Sequence, residues 1–335
     1  MFLLKMESLI AGDIILTGND EKLSRVIKKY TKGGFSHAIL YVGHGSYIHS
    51  DRDGVHSNNI QRLLFESKDN VSVFRAIDNS IVPAVCQYAR SQVGKEYSIP
   101  SAVNAQFKAP IEVASNRQFC SKLVAQAYEY AGLKLVKVSE RCTPKEIEES
   151  PSLKRLDDIV REANDAEIDF ANSESPLDKQ TRVTNDILEN ARKIFDRDIQ
   201  TLSELTAALF INPEHDSKIS KLMLLSGYFS LWDEDLARNS WRYEYLSFME
   251  LPISKQEKVD LARREIESSK EMVSRFGSML EHYKQAHEKY DLEYTRLHKS
   301  LYEKLLKAML DNNKVASRVV STLTVLAQTR SYISP

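Results

Sequence analysis

Two histidines twelve positions apart on a predicted hairpin, and a cysteine at the start of a later predicted helix, constrain this chain more than any other feature. The segments are SHAILYVGHGSYIHS at 36–50 and QFCSKLVAQAY at 118–128. Two alternating runs flank Gly43, His44 and Gly45, a strong hairpin signal. A three-residue loop sets Val42 opposite Ser46 and His49 opposite Ile39. His37 and His49 then share one sheet face as diagonal neighbours. A two-residue loop would send them to opposite faces, because side chains alternate with period two, so the chemistry depends on the three-residue turn.

That pattern supplies the parts of an activated nucleophile. A thiol at a helix N-terminus is acidified by the unpaired amide dipoles and further by a nearby imidazolium. Cys120 stands there, His37 is the expected base and ion-pair partner, and His49 would fix the tautomer of His37. Asp51 or Asp53 compete with His49 for that orienting role. An oxyanion would face the Cys120 amide, with Gln118 or Tyr41 as side-chain donors. Taken alone, a cysteine at a helix start is more often a small buried hydrophobe; the two histidines reverse that reading. A zinc site from Cys120, His37 and His49 has too few ligands and no paired spacing, so no metal and no cofactor is expected. His44 and His56 read as turn residues, Cys86 as packing, and Cys142 as a loop thiol with no base nearby in sequence.

The rest of the chain divides in two. GDIIL at 12–16 and VSVFRAI at 71–77 read as strands, and 21–31 and 80–93 as helices, the latter closed by Gly94. Strands mixed with helices give an α+β domain over 1–157. Residues 158–183 are polar, hold Pro176 and show little periodicity, which predicts a linker. From 184 to 335 the pattern is helical. Ser254 with Glu257 forms a capping box, after which an apolar stripe runs through Ala262, Ile266, Ser269, Val273, Phe276, Leu280, Tyr283 and His287. Unbroken from 254 to 310, that helix would be roughly 85 Å long; 311–313 should end it, and 314–329 should form a last helix. The stripe must be covered by neighbouring helices or by another chain, so a homo-oligomer or a protein partner is one expectation for this half.

Composition excludes more than it selects. Forty-six basic residues balance 47 acidic ones over 335 residues, so nothing global points to nucleic acid. No run is long enough for a transmembrane span, and MFLLKMESLI lacks a signal-peptide pattern. Three cysteines are too few and odd for a disulfide framework. A cytoplasmic location is expected, with export independent of a Sec signal as the alternative.

Five segments carry a resemblance: GDIILTG at 12–18, SHAILYVGHGSYIHSDRDGV at 36–55, VGKEY at 93–97, QFCSKLVAQAYEYAGL at 118–133 and CTPKEIEESP at 142–151. In order and spacing they resemble the YiiX/YaeF group of permuted NlpC-type papain-fold cysteine enzymes, related to lecithin:retinol acyltransferase. The resemblance covers about residues 8–157 and none of the helical half. It implies a circularly permuted papain-like fold, in which the nucleophile follows its histidines in sequence. Position by position it implies Cys120 as nucleophile, His37 as base, His49 as third polar member and Tyr97 as a pocket residue. His49 stands where the bacterial group is expected to carry Glu, and this looks more like the acyltransferase branch. The expected function is a cysteine hydrolase or acyltransferase acting on an amide, peptide or acyl ester through an acyl-thioester on Cys120. A lipid-directed phospholipase or acyltransferase and a catalytically inactive interaction adaptor are the alternatives.

Overall fold

The structure, a computed structural model, describes residues 1–18, 34–98 and 116–331, with side chains to 324. The helix expected at 21–31 lies outside the described residues. Two compact units divide the chain, residues 1–206 and 207–335.

The first unit is built on a six-stranded antiparallel sheet. Its strands are β2 (Ile14–Thr17), β3 (His37–Gly43), β4 (Ser46–Asp51), β5 (Gly54–Asn59), β6 (Val71–Ala76) and β7 (Leu153–Leu156), in the order β5-β4-β3-β2-β6-β7. A separate pair joins β1 (Phe2–Leu4) to β8 (Val160–Glu162). Helices α1 (Val82–Ser91), α2 (Cys120–Tyr130) and the short α3 (Pro144–Glu148) cover one face, where Ile14, Leu16, Leu40 and Ile48 pack with Val85, Ala89, Leu123, Val124, Ala127 and Ile147. The other face packs Ile15, Ile39, Tyr41, Tyr47 and Val73 against Leu4, Leu9, Ile60 and Phe65. β2 therefore reads as an unbroken apolar run because both of its faces are buried. The sheet-rich α+β domain and the helical region after it are as the sequence indicates.

The expected linker, 158–183, is instead folded. It contains β8, α4 (Asp165–Asn172) and the start of α5 (Pro176–Phe195), and the first unit runs on to Thr206. Asn164 with Glu167 forms a capping box on α4, and Ser175 caps α5 with Pro176 in its first turn. α5 buries Ile187, Leu188, Ala191 and Phe195. Its Asn185 donates to the Asp53 carbonyl at 2.9 Å, and Gln200 accepts from the Glu96 amide at 2.8 Å. Arg192 reaches the Glu96 carboxylate at 2.9 Å. The Gln200 and Arg192 contacts buttress the 94–98 loop, and the Asn185 contact holds the turn between β4 and β5. A fragment ending at Asn212 should therefore fold with a reactive Cys120, whereas one ending at Ser173 should lose cooperative thermal unfolding; calorimetry with thiol labelling of both fragments checks this.

The second unit begins within α6 (Leu202–Ile211) and continues through α7 (Asp216–Leu225), α8 (Leu231–Arg238), α9 (Tyr245–Met249), α10 (Lys255–Tyr290) and α11 (Glu293–Ser331). The predicted capping box of Ser254 and Glu257 opens α10. The expected single rod is not formed: Asp291 adopts a left-handed conformation (φ 48°) and closes α10 by donating its amide to the His287 carbonyl. The chain then folds back, and Asp216 caps α11 by accepting the Glu293 and Tyr294 amides. Residues 311–313 lie inside α11, where Asn312 is buried and donates to Glu265 at 2.9 Å. The stripe on α10 is covered within the unit, with Leu280 and Tyr283 buried and the Tyr283 ring stacked on His298 and Tyr302. Among the described residues, no helix is long and apolar enough to cross a membrane.

Candidate active site

The hairpin presents its histidines by a route the sequence reading did not anticipate. The turn holds two residues, His44 and Gly45, and Val42 is bulged so that Gly43 pairs with Ser46. Gly43, His44 and Gly45 all have positive φ, at 93°, 50° and 77°. The extra residue of the bulge restores the parity that a two-residue turn removes. His49 consequently sits opposite Ile39, and His37 and His49 share a face as expected.

Their rings meet directly. His37 Nε2 lies 2.9 Å from His49 Nδ1, with the ring planes at 84°. With Nε2 engaged there, Nδ1 is the His37 nitrogen left to interact with Cys120, whose charge and hydrogen bonding act on the ring. Cys120 is the first residue of α2, and its N-cap residue Phe119 makes no side-chain capping bond. Burial pushes the Cys120 thiol up, but the His37 charge and hydrogen bond, with the Ala38 and Ser121 amides, outweigh it and hold the thiol below its ordinary value. Burial acts on His37 in the opposite sense; the Cys120 charge and hydrogen bond and the Asp51 charge overcome it and raise the imidazolium pKa. The two shifts are the two halves of one thiolate–imidazolium pair.

His49 does not end the chain of rings. His56 lies opposite it on β5, with Nε2 atoms 3.0 Å apart, and His56 Nδ1 is 3.2 Å from the Gly54 carbonyl. The sequence reading put His56 in a turn; it is a buried strand residue. Its signal was available in the DRDG segment. An Asp51–Gly54 pair around a two-residue turn forces His49 opposite His56. Burial, then the charges of His37 and His56, push the His49 imidazole well below its ordinary value, so it stays neutral. Asp51 stands at 3.8 Å from His49 Nε2 and 3.6 Å from His56 Nδ1, close enough for attraction and too far for a hydrogen bond. Asp51 thus does not displace His49 as the partner of His37. His49, Asp51 and His56 bring one ligand-type atom each within 4.8 Å of one another.

The remaining predicted residues separate. Tyr97 is half-buried, and burial followed by the charges of Cys120 and Asp51 pushes its phenol up, so it stays protonated. Its backbone bridges to Gln118. Gln118 is buried, but its amide nitrogen donates to Gln92 at 3.2 Å and to Gln126 at 2.9 Å. Gln126 in turn gives its own amide nitrogen to Glu140 at 2.6 Å, which fixes the orientation. Gln118 therefore anchors the residues entering α2, and both of its donor hydrogens are committed. Tyr41 is not brought to Cys120. Its hydroxyl accepts the Gly45 amide at 2.9 Å, at the far end of β3 from His37, on the opposite sheet face from the α2 core.

A family model described as permuted papain-like amidase enzyme, YaeF/YiiX, C92 family, matches residues 8–165. The resemblance drawn from the sequence is thus found again in the N-terminal half. Among solved structures, the crystal structure of metalloprotein yiiX from Escherichia coli O157:H7 is 16% identical over 44% of this chain and 95% of that one, with a TM-score of 0.32. No curated protein matches the chain.

Proposed function

We propose that the first unit is a cysteine amidase or acyl hydrolase that works through an acyl-thioester on Cys120. The observation that carries this reading is the placement of Cys120 as the first residue of α2 together with a His37 held through Nε2 by His49 at 2.9 Å, supported by the opposite directions in which the Cys120 and His37 acidities are displaced and by the match of residues 8–165 to a permuted papain-like amidase family. The thiolate attacks the acyl carbon, and the carbonyl oxygen becomes an oxyanion facing the helix N-terminus and the Tyr97 hydroxyl. His37 Nδ1–H gives its proton to the departing amine or alcohol, the acyl–leaving-group bond breaks, and a thioester remains. Water then attacks the thioester carbon as His37 takes its proton, and release of the acid restores thiolate and imidazolium. His49 holds His37 with Nδ1 toward the sulfur throughout.

The test is capture of the intermediate. Incubation with amide, peptide and lipid-ester acyl donors, followed by acid quench and peptide mass spectrometry, should give a hydroxylamine-labile adduct on Cys120 and none on Cys86 or Cys142. Adducts from lipid esters alone would move the substrate to the phospholipase and acyltransferase class. No adduct from any donor on a folded protein would leave the inactive-adaptor reading standing.

A further inference from the structure

The hydrogen-bond chain behind His37 has a direction that can be worked out atom by atom. When His37 is an imidazolium, its Nε2–H must donate, so His49 Nδ1 accepts across the 2.9 Å contact. A neutral ring that accepts at Nδ1 carries its proton at Nε2. That proton is donated across 3.0 Å to His56 Nε2, which makes His56 the Nδ1–H tautomer. Its Nδ1–H then points at the Gly54 carbonyl, 3.2 Å away, an oxygen that can only accept. One backbone carbonyl thus sets the tautomers of His56 and His49 in succession and leaves an acceptor facing the His37 Nε2–H.

The carbonyl is itself held in place. Gly54 has φ 86°, and a Cβ there would lie 2.5 Å from the Lys95 carbonyl. The Val55 amide donates to that same Lys95 carbonyl at 2.8 Å, and the Gly94 amide donates to the Val55 carbonyl at 2.9 Å. The end of the relay is therefore tied to the loop that carries Tyr97.

We infer that His56 is a positioning residue for the reaction: by accepting from His49 Nε2 it confines His49 to the one tautomer able to receive the proton of an imidazolium at His37. This rests on the proposed roles of Cys120 and His37. Without an acceptor at position 56, His49 gains access to its Nδ1–H tautomer, which turns a donor toward His37 Nε2 and opposes protonation of that ring. The charged and titratable groups facing the relay are Tyr47 and Asp51 on β4, Tyr97 after α1, Cys120 on α2, and Asp178 on α5, which faces Tyr47. Asp51 attracts protons toward the relay as a whole and selects no tautomer, since it touches neither ring at hydrogen-bond distance.

The experiment compares His56→Phe, which keeps the ring and removes the acceptor, with His56→Gln, whose amide oxygen can stand near the position of Nε2. The rate of Cys120 alkylation by iodoacetamide is followed against pH, site-resolved by mass spectrometry, with His37→Ala in parallel. His56→Phe should move the Cys120 titration midpoint upward by about one to two pH units, the change that goes with losing a hydrogen bond to a charged group. His56→Gln should restore most of the wild-type profile. Nitrogen-15 spectra of labelled histidine should show His49 as Nε2–H in the wild type and mixed in His56→Phe. An unmoved profile in a folded His56→Phe protein, beside a shifted one in His37→Ala, would overturn the relay and leave the dyad intact. An unmoved profile in His37→Ala would overturn the dyad itself. A His56→Gln protein as impaired as His56→Phe would reduce position 56 to packing.

Discussion

Replacing His37 by alanine should lower kcat/KM by about 100- to 10,000-fold, the range spanned by loss of a general acid–base group. His37 is half-buried at the first position of β3, and its side chain belongs to neither apolar core cluster of the first unit, so the unit should remain folded by circular dichroism. The loss has two sources. No proton is delivered to the leaving group, and the thiolate loses the charge that offsets its burial. Burial is then opposed by the Ala38 and Ser121 amides without the His37 charge, and the sulfur pKa moves up, so the remaining activity should require more alkaline pH. His49→Glu should be milder, because a carboxylate at that position also accepts from His37 Nε2–H. Steady-state kinetics of both variants on one acyl donor, with pH profiles, checks the order.

The second large effect concerns stability. Asp13 is fully buried, and its carboxylate accepts from Arg75 Nε and Nη2, both at 2.7 Å, and from the Ile10 amide at 2.9 Å. Asp13 also spaces β2 from β3, since its carbonyl accepts the Tyr41 amide at 2.9 Å. Asp13→Ala leaves a partly buried guanidinium and an amide without their acceptor, a defect that typically costs about 3–5 kcal/mol. Thermal unfolding of the first unit should fall by roughly 10 °C. The double variant Asp13→Leu with Arg75→Met should recover part of this, because an apolar pair leaves no stranded charge. If Asp13→Ala alone melts within a degree or two of wild type, water has replaced the carboxylate and the pair contributes little.

Much of this arrangement was legible in the residues because its signals are local. Cys120 before a helix-period run, and His37 and His49 around a glycine-bounded turn, are readable from spacing alone. What spacing could not show was how the turn is made. A loop and a bulge are both one extra residue, and only the paired structure separates them. His56 was missed although the DRDG turn could have placed it. Tyr41 and Gln118 were over-read for different reasons: Tyr41 packs on the sheet face opposite the α2 core, and the donor hydrogens of Gln118 are taken by Gln92 and Gln126, partners that only folding brings in. In the helical unit, the turn at Asp291 carries no glycine or proline, and an aspartate in a left-handed conformation leaves little trace. Conversely, 311–313 looks like a stop yet lies mid-helix, because Asn312 has Glu265 as a buried partner. The polar run at 158–183 read as a linker, although the capping pairs Asn164 with Glu167 and Ser175 with Pro176 announce two helix starts.

The central claim is the thiolate–imidazolium pair, and the most direct measurement is the pH dependence of alkylation at each cysteine of the intact protein. Cys120 should react with a titration midpoint below that of an ordinary thiol, because the pair forms once pH exceeds the depressed pKa of the sulfur and persists until pH passes the raised pKa of His37. Above that second point the imidazole becomes neutral. Cys142, whose thiol is pushed up by burial, should stay unreactive across the same range. A Cys120 that titrates at or above the ordinary thiol value, or one that labels no faster than Cys142 while the protein remains folded, would contradict the account.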